Sequence, residues 1–227
     1  MSQTDVTVVL VHGAWADGSS WSKIVAPLAA GGLEVTAVQL PLTSLQEDVA
    51  AVDRALDRAS GPVVLVGHAY GGAVVTASRG KNVKALVYIA AGAPDEGQTI
   101  LEAFYGANPP PLSPDADGRI YLPDEAFAAA FAPDASLDEL AILKAVQRPI
   151  SIGAITVPMP RPLWKALPSW FLVAERDQMI PSGIQRFMAE RMKARLHSHD
   201  VDHTPLVTAP AAVLAIIREA VASLSYQ

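Results

Sequence analysis

The chain contains no cysteine among its 227 residues. Disulfide bonds, thiolate catalysis and cysteine-ligated zinc are therefore excluded. This absence fits a reducing compartment. Residues 1–5 are polar and carry no basic leader segment, and the apolar run at residues 6–11 is far too short for a membrane span. We therefore expect a soluble cytoplasmic protein with no membrane partner.

Positive charge is also scarce. The 17 Lys and Arg residues are outnumbered by 23 Asp and Glu, which gives a net charge of -6, and they form no basic cluster. Because a nucleic-acid partner requires such a cluster, none is expected. The five His residues lack paired metal-ligand spacing, so we expect neither a metal nor a cofactor. Apolar residues make up 51 % of the chain, enough for a sizeable core, and a homodimer is compatible with this composition.

Short apolar segments rich in β-branched residues alternate with helical patterns. The apolar segments cover residues 6–11, 35–40, 63–66 and 83–90, and two further strands are predicted at residues 170–174 and 195–201. The helical patterns cover residues 19–30, 44–59, 181–192 and 205–224, with a capping-box spacing at Ser44 and Glu47. This alternation predicts an α/β fold with a mostly parallel central sheet of about six strands and helices on both faces.

The alternation breaks after residue 91. From residue 94 to about 168 the chain is rich in Pro and Gly, includes three consecutive prolines at 109–111, and has short helical patterns at 125–131 and 137–146. Such a segment is too long for a plain loop. We therefore predict an inserted cap at residues 94–167, with residues 1–93 and 168–227 forming the core.

One turn between a strand and a helix has an unusual pattern of glycines. Residues 67–71 read Gly-His-Ala-Tyr-Gly, the spacing of the nucleophile elbow G-x-S-x-G with alanine at its centre. The flanking glycines remove side chains that would collide with the neighbouring strand and helix. The pattern predicts that Ala69 projects over the carboxyl edge of the sheet at a helix N-terminus.

Three further segments follow predicted strands. Residues 11–15 read Val-His-Gly-Ala-Trp, residues 175–181 contain Asp177, and residues 201–205 contain His203. A tetrahedral oxyanion needs two convergent N–H donors, and the backbone N–H groups of Ala14 and Tyr70 are the candidates. An Asp at the end of one strand can reach a His on the next loop, and the chain order elbow, Asp, His is that of a known hydrolase fold.

Together these segments resemble the α/β-hydrolase fold over nearly the whole chain, closest to the small esterases related to plant methyl esterases and hydroxynitrile lyases. The resemblance implies that the residue at position 69 is the nucleophile, that His203 is the general base and acid, and that Asp177 orients His203. Asp202, next to His203, is the alternative orienting residue. The implied reaction is hydrolysis of a small-molecule carboxylic ester or lactone through an acyl-enzyme.

Alanine at position 69 departs from this pattern because it has no oxygen to carry an acyl group. One explanation is a Ser→Ala substitution made to hold a substrate unreacted. The other is a natural protein that binds without reacting. The retained His203 and Asp177 favour the first, since residues no longer needed tend to drift. In either case we expect the chain with Ala69 to be inactive as a serine hydrolase.

Several side chains are candidates for the substrate pocket, although each has an ordinary structural explanation as well. The candidates are His12, Trp15, His68, Phe104 and Trp164. Two other functions remain open. One is a ligand-binding protein on the same fold. The other is a non-hydrolytic lyase or cofactor-free oxygenase, which Gly13 and Gln178 disfavour because a hydroxynitrile lyase would carry Thr and Lys there.

Overall fold

A computed structural model describes residues 6–106 and 112–224. The prolines at 109–111 and the polar residues at 1–5 lie outside the described residues. The central feature is a six-stranded sheet whose neighbouring strands are all parallel, in the order β2-β1-β3-β4-β7-β8. Its strands are β1 (Thr7–Val11), β2 (Glu34–Val38), β3 (Val63–His68), β4 (Val83–Ile89), β7 (Ser169–Ala174) and β8 (Arg195–His199). The predicted fold class is therefore confirmed, with strand ends shifted by one or two residues.

Alternate residues of the strands point to opposite faces of the sheet and build two separate cores. On one face, Val9, Leu65 and Phe171 belong to a core that α2 (Leu45–Arg58), α3 (Tyr70–Ala77) and α8 (Ser182–Arg191) help to form. On the other face, Leu10 and Val66 belong to a core shared with α1 (Ser22–Ala30) and α10 (Pro210–Leu224). Both faces of the sheet are therefore buried, which explains why the strands are apolar at consecutive positions.

The predicted helix at residues 205–224 is two helices. The first, α9, covers Pro205–Thr208, and α10 begins at Pro210. Pro210 has no N–H to donate, and a residue that precedes proline is sterically disfavoured from the helical region. Ala209 accordingly has φ -140° and ψ 55°. The predicted helix at residues 19–30 likewise begins as a 3₁₀ turn, Gly18–Trp21, before α1.

Helix α2 begins as its sequence predicts. The hydroxyl of Ser44 accepts a hydrogen bond from the Glu47 N–H at 3.2 Å. The Glu47 carboxylate accepts from the hydroxyls of Thr43 and Ser44. The side-chain half of the predicted capping box is present, which fixes where the helix starts after β2.

Short elements fill the segment between β4 and β7. They are α4 (Ile100–Tyr105), β5 (Arg119–Ile120), α5 (Asp124–Ala126), a π-helical turn (Phe127–Phe131), α6 (Leu137–Ala145), β6 (Ile150–Ser151), α7 (Ile152–Ile155) and a 3₁₀ turn (Leu163–Lys165). Strands β5 and β6 pair antiparallel and do not join the main sheet. The division into a core and an inserted cap remains a prediction. These short elements all lie within the segment predicted as the cap.

The parallel sheet brings several loops to one edge. Strands β1, β3, β7 and β8 all end there, followed by His12, Ala69, Glu175 and Asp200 respectively. In an open parallel sheet, ligands bind beyond the carboxyl ends of the strands. None of the helices in the described part of the chain is long and apolar enough to cross a membrane.

Candidate active site

Ala69 lies in a sharp turn between β3 and α3. Its φ of 49° and ψ of -119° are rare for a residue that is not glycine. The turn is held by its backbone, because the Ala69 carbonyl accepts from Gly72 N–H at 3.1 Å and from Gly92 N–H at 3.0 Å. A strained residue at a helix N-terminus, over the edge of the sheet, is the geometry of a nucleophile elbow.

The glycines around Ala69 allow close backbone approaches. A Cβ atom at Gly67 would lie 2.7 Å from the carbonyl oxygen of Gly71, and one at Gly13 would lie 2.9 Å from the Cβ of Ala69. Real Cβ atoms do not come that close to backbone. The turn therefore depends on glycine on both sides, and the loop after β1 lies directly against position 69.

His203 and Asp177 meet across the edge of the sheet. His203 Nδ1 donates to Asp177 Oδ2 at 2.8 Å, and the side chains are 3 % and 0 % exposed. With Nδ1 donating, the neutral ring has its lone pair on Nε2. The structure thus brings together the two residues that the sequence paired from loops 26 positions apart.

Asp177 is fixed by three further donors. Its Oδ1 accepts from the N–H groups of Met179 at 2.7 Å and Ile180 at 2.8 Å, and its Oδ2 accepts from Gln185 Nε2 at 2.8 Å. Gln185 is fully buried in α8. Sequence reasoning missed Gln185. The only sequence signal for Gln185 is its position, a polar residue two helical turns after Asp177 on a helix that must pack against the sheet.

Asp202, the alternative orienting residue, faces elsewhere. Its carboxylate accepts from the Thr204 N–H at 3.1 Å, the Thr208 hydroxyl at 2.6 Å and the Asp134 N–H at 3.1 Å. Asp202 therefore fixes the backbone on either side of His203 rather than the imidazole. The Thr204 hydroxyl also donates to the Phe131 carbonyl at 2.7 Å, which ties this loop to the segment after β4.

A small cavity of about 60 Å³ lies beside His203 and Ala69. Ala14, Trp15, Tyr70 and Phe104, four of the site residues predicted from the sequence, also line it. Most of the remaining lining is aliphatic and includes Ile100, Leu101, Leu112, Ile120, Ile150 and Ile155. The described lining carries no Lys, Arg, Asp or Glu. The cavity therefore suits an uncharged, mainly apolar molecule.

Three candidates for the pocket lie outside the described lining. His12 is fully buried. Its Nδ1 donates to the Gly13 carbonyl at 2.8 Å, and its Nε2 accepts from the Leu40 N–H at 3.0 Å. Burial lowers the pKa of His12 to about 4. This neutral ring therefore holds the loop that carries Ala14, and it lies outside the described lining of the cavity.

His68 and Trp164 also lie outside the described lining of the cavity. His68 Nε2 donates to the His203 carbonyl at 2.8 Å, behind the imidazole, and burial lowers the pKa of His68 to about 3. Trp164 donates to the Pro94 carbonyl at 3.2 Å, with the Arg191 guanidinium 5.6 Å from its ring. Both side chains are engaged by the protein itself.

The two candidate oxyanion donors lie at the cavity. Ala14 and Tyr70 both line it, and Tyr70 is the first residue of α3. The hydrogen bonds found among residues 6–106 and 112–224 give neither N–H an acceptor. Neither N–H group is therefore used by the backbone of the described residues, and both remain candidates for donating to a bound molecule.

A buried carboxylate holds the side chain of Tyr70. Asp48 is fully buried on α2, and its two oxygens accept from the Tyr70 hydroxyl at 2.6 Å and the Leu42 N–H at 2.7 Å. Burial raises the pKa of Asp48 to about 6. Leu42 has a φ of 60°, so Asp48 also holds an unfavourable backbone turn. No sequence pattern predicted the contact between Asp48 and Tyr70.

We expect Asp48→Asn to remove one component of the pH dependence of stability. A carboxyl group with a folded pKa above its unfolded value binds more protons in the folded state. Its contribution to stability therefore falls as pH rises from about 4 to about 6. Relative to the parent, the variant should gain up to about 3 kcal/mol in this window. Urea unfolding at several pH values measures the difference, and a constant difference would contradict the prediction.

No group of three His, Asp or Glu side chains within the described parts of the chain is arranged to hold a metal ion. His197, which precedes the His203 loop, contacts Glu219 at 2.9 Å and is engaged there. The arrangement at the sheet edge consists of an oriented imidazole, two N–H groups and an apolar cavity.

Comparisons with known proteins point in the same direction. The profile of the alpha/beta hydrolase family matches residues 8–216. The chain is 24 % identical to Methylesterase 1 of Arabidopsis thaliana over 238 residues, which cover 89 % of this chain and 90 % of that protein. It is 22 % identical to Norfluorocurarine synthase 2 of Strychnos over 244 residues, which cover 89 % and 90 %.

Solved structures share the fold at similar identity. A pyrethroid hydrolase from Sphingobium faniae superimposes with a TM-score of 0.80 at 21 % identity, covering 98 % of this chain and all of that one. A methylesterase from Arabidopsis superimposes with a TM-score of 0.79 at 20 % identity, covering 96 % and 99 %. The likeness therefore includes the segment between β4 and β7 as well as the sheet.

Proposed function

Since this chain belongs to the alpha/beta hydrolase family, we propose that it is built as a serine-type hydrolase of carboxylic esters or lactones. Ala69 occupies the nucleophile position, so the chain keeps His203 and Asp177 but lacks the attacking oxygen. One observation carries the proposal. The buried His203–Asp177 pair, at 2.8 Å, belongs to the same apolar cavity as the strained residue 69.

The proposed mechanism assigns one task to each group. A serine oxygen at position 69 attacks the substrate carbonyl while His203 Nε2 takes its proton. His203 then gives that proton to the leaving alcohol, and Asp177 stabilises the imidazolium. The N–H groups of Ala14 and Tyr70 donate to the oxyanion. Water, activated by His203, releases the acid in the second half of the reaction.

The expected substrate is small and uncharged. The cavity volume of about 60 Å³ is below the range of about 300–1,000 Å³ typical of small-molecule sites, which supports a small substrate. A charged acyl group would lose its hydration against the aliphatic lining without finding a partner. The name of the relative Methylesterase 1 supports ester hydrolysis as the reaction class. The acyl and alcohol parts are not specified by these contacts.

Covalent labelling tests the nucleophile position directly. We expect Ala69→Ser to react with a small alkyl fluorophosphonate and gain one phosphonyl group in intact-mass spectra, mapped by peptide digestion to position 69. The chain with Ala69 should gain none. Adding His203→Ala to the serine variant should slow labelling by about 10² or more, since a general base contributes about 10²–10⁴-fold. Equal labelling with and without His203 would contradict the proposal.

The alanine itself favours a second candidate, a ligand-binding protein on the same fold. That function predicts saturable binding of apolar small molecules in the cavity of the unaltered chain. It also predicts that Ala69→Ser, although folded, neither labels nor turns over esters. The labelling experiment therefore separates a hydrolase scaffold from a dedicated binding protein.

A further inference from the structure

With alanine at position 69, the imidazole of His203 has no hydroxyl neighbour from the elbow. Its Nδ1 is engaged by Asp177, and the hydrogen bonds of the described residues give its Nε2 no partner. The side chain is 3 % exposed and borders the apolar cavity. A general base is therefore kept oriented and desolvated, without the nucleophile that it would normally activate.

One carboxylate and two neutral side chains, His68 and Tyr105, lie near His203 at the cavity. The Asp177 carboxylate is the only anionic side chain that bonds the imidazole among the described residues. His68, whose ring lies 5.0 Å from that of His203, is neutral because burial lowers its pKa to about 3. Tyr105, also at the cavity, has a raised pKa from burial and from Asp177, so it stays protonated. A proton taken by Nε2 therefore meets a counter-charge and no competing cation.

We propose that the chain, with Ala69 in place, abstracts protons from apolar carbon acids whose charge passes to an oxygen atom. The proposal rests on the proposed function only for the roles of His203, Asp177 and the two N–H donors. It concerns an activity that needs no acyl-enzyme. The substrates are uncharged molecules with an acidic C–H bond and a neighbouring oxygen that leaves or becomes an enolate.

The probe 5-nitrobenzisoxazole illustrates the step. His203 Nε2 takes the proton on the carbon next to nitrogen, and the C–H electron pair becomes part of a nitrile. The N–O bond breaks, and its electron pair stays on oxygen as a phenolate, which the N–H groups of Ala14 and Tyr70 face. Water then takes the proton from His203. Atoms and electrons balance, and no oxidant, reductant or second substrate is needed.

The test follows formation of the coloured phenolate by the unaltered chain. We expect saturable turnover, and His203→Ala should lower kcat/KM by about 10² or more, the usual contribution of a general base. Asp177→Asn should lower it by about tenfold or more, because the imidazole loses its tautomer and its counter-charge. His199→Ala is the matched control. His199 lies on β8 outside the cavity lining, and the rate should not change.

The Ala69→Ser variant gives an independent test that does not disturb the base. A serine hydroxyl hydrogen-bonded to Nε2 would occupy its lone pair, so phenolate formation should slow several-fold while ester hydrolysis appears. Turnover that survives His203→Ala at the parental rate, or that is equal in Ala69→Ser and the parent, would overturn the proposal. Thermal unfolding of each variant shows whether a loss reflects misfolding.

Failure of this inference and failure of the proposed function are distinguishable. Labelling at position 69 without phenolate formation by the unaltered chain would retain the hydrolase and reject proton abstraction. Phenolate formation that depends on His203, without labelling of the serine variant, would retain the base and reject position 69 as a nucleophile. Labelling reports on the oxygen at position 69, whereas phenolate formation reports on Nε2 of His203.

Discussion

Ala69→Ser is expected to hydrolyse p-nitrophenyl butyrate with a kcat/KM about 10³-fold or more above that of the unaltered chain. The size of this expected gain is judged against the effect of removing the nucleophile from a serine hydrolase, which lowers kcat by up to about 10⁶-fold. We expect a smaller gain because the butyrate ester was chosen for its apolar acyl chain and not as the natural substrate.

The geometry explains why one substitution is expected to suffice. The backbone at residue 69 already has the φ of 49° that aims its side chain into the cavity. Serine adds one oxygen to the alanine methyl group, and His203 is already oriented by its 2.8 Å bond to Asp177. Neither the turn nor the base has to be rebuilt, so the new hydroxyl enters a preorganised site.

Removal of the base should reverse the gain. In the serine background, we expect His203→Ala to return kcat/KM to within about tenfold of the unaltered chain, since members of such a triad act as a unit. The matched substitution His199→Ala should leave the serine variant's rate unchanged. A folded serine variant that turns over no ester on a broad panel would count against the hydrolase and in favour of the binding protein.

Much of this site follows from local sequence. The elbow glycines, the alternation of strands and helices, and the order of residues 69, 177 and 203 predicted which loops meet, because carboxyl ends of parallel strands share one edge. The pairing of His203 with Asp177 came from the family resemblance, with Asp202 left as the alternative. Trp15 and Phe104, predicted as pocket residues, lie at the cavity, and the same motifs identify the family.

Other features depend on contacts that a single sequence does not encode locally. Gln185 and Asp48 look like ordinary polar residues of amphipathic helices, and only the packing against the sheet buries them. His12 and His68 stand beside functional positions, yet their rings point into the protein because backbone partners are available there. Pro210 indicates a break between two helices, but the apolar pattern continues across it and predicts a single helix.

Gly71→Ala is expected to destabilise the fold by roughly 3 kcal/mol or more, at the upper end of overpacking effects. A Cβ at Gly71 would lie 2.6 Å from the carbonyl oxygen of His12 and closer still to that of Val11. Both obstacles are backbone atoms at the end of β1, so no side-chain rotation relieves the clash. Urea unfolding of the variant and the parent, monitored by circular dichroism, measures the loss.

Gly183→Ala is the matched control for this prediction. Gly183 also lies near the start of a helix, α8, but a Cβ there would meet no atom within 4 Å. Alanine favours a helix over glycine by about 1 kcal/mol, so this variant should be unchanged or more stable. If the two variants unfold at the same urea concentration, the close approach at Gly71 does not constrain the fold.

If they differ as expected, the contact between α3 and the end of β1 fixes two things at once. It sets the start of the helix that presents the Tyr70 N–H, and it sets the loop that presents the Ala14 N–H. The spacing of the two oxyanion donors would then be a property of that contact.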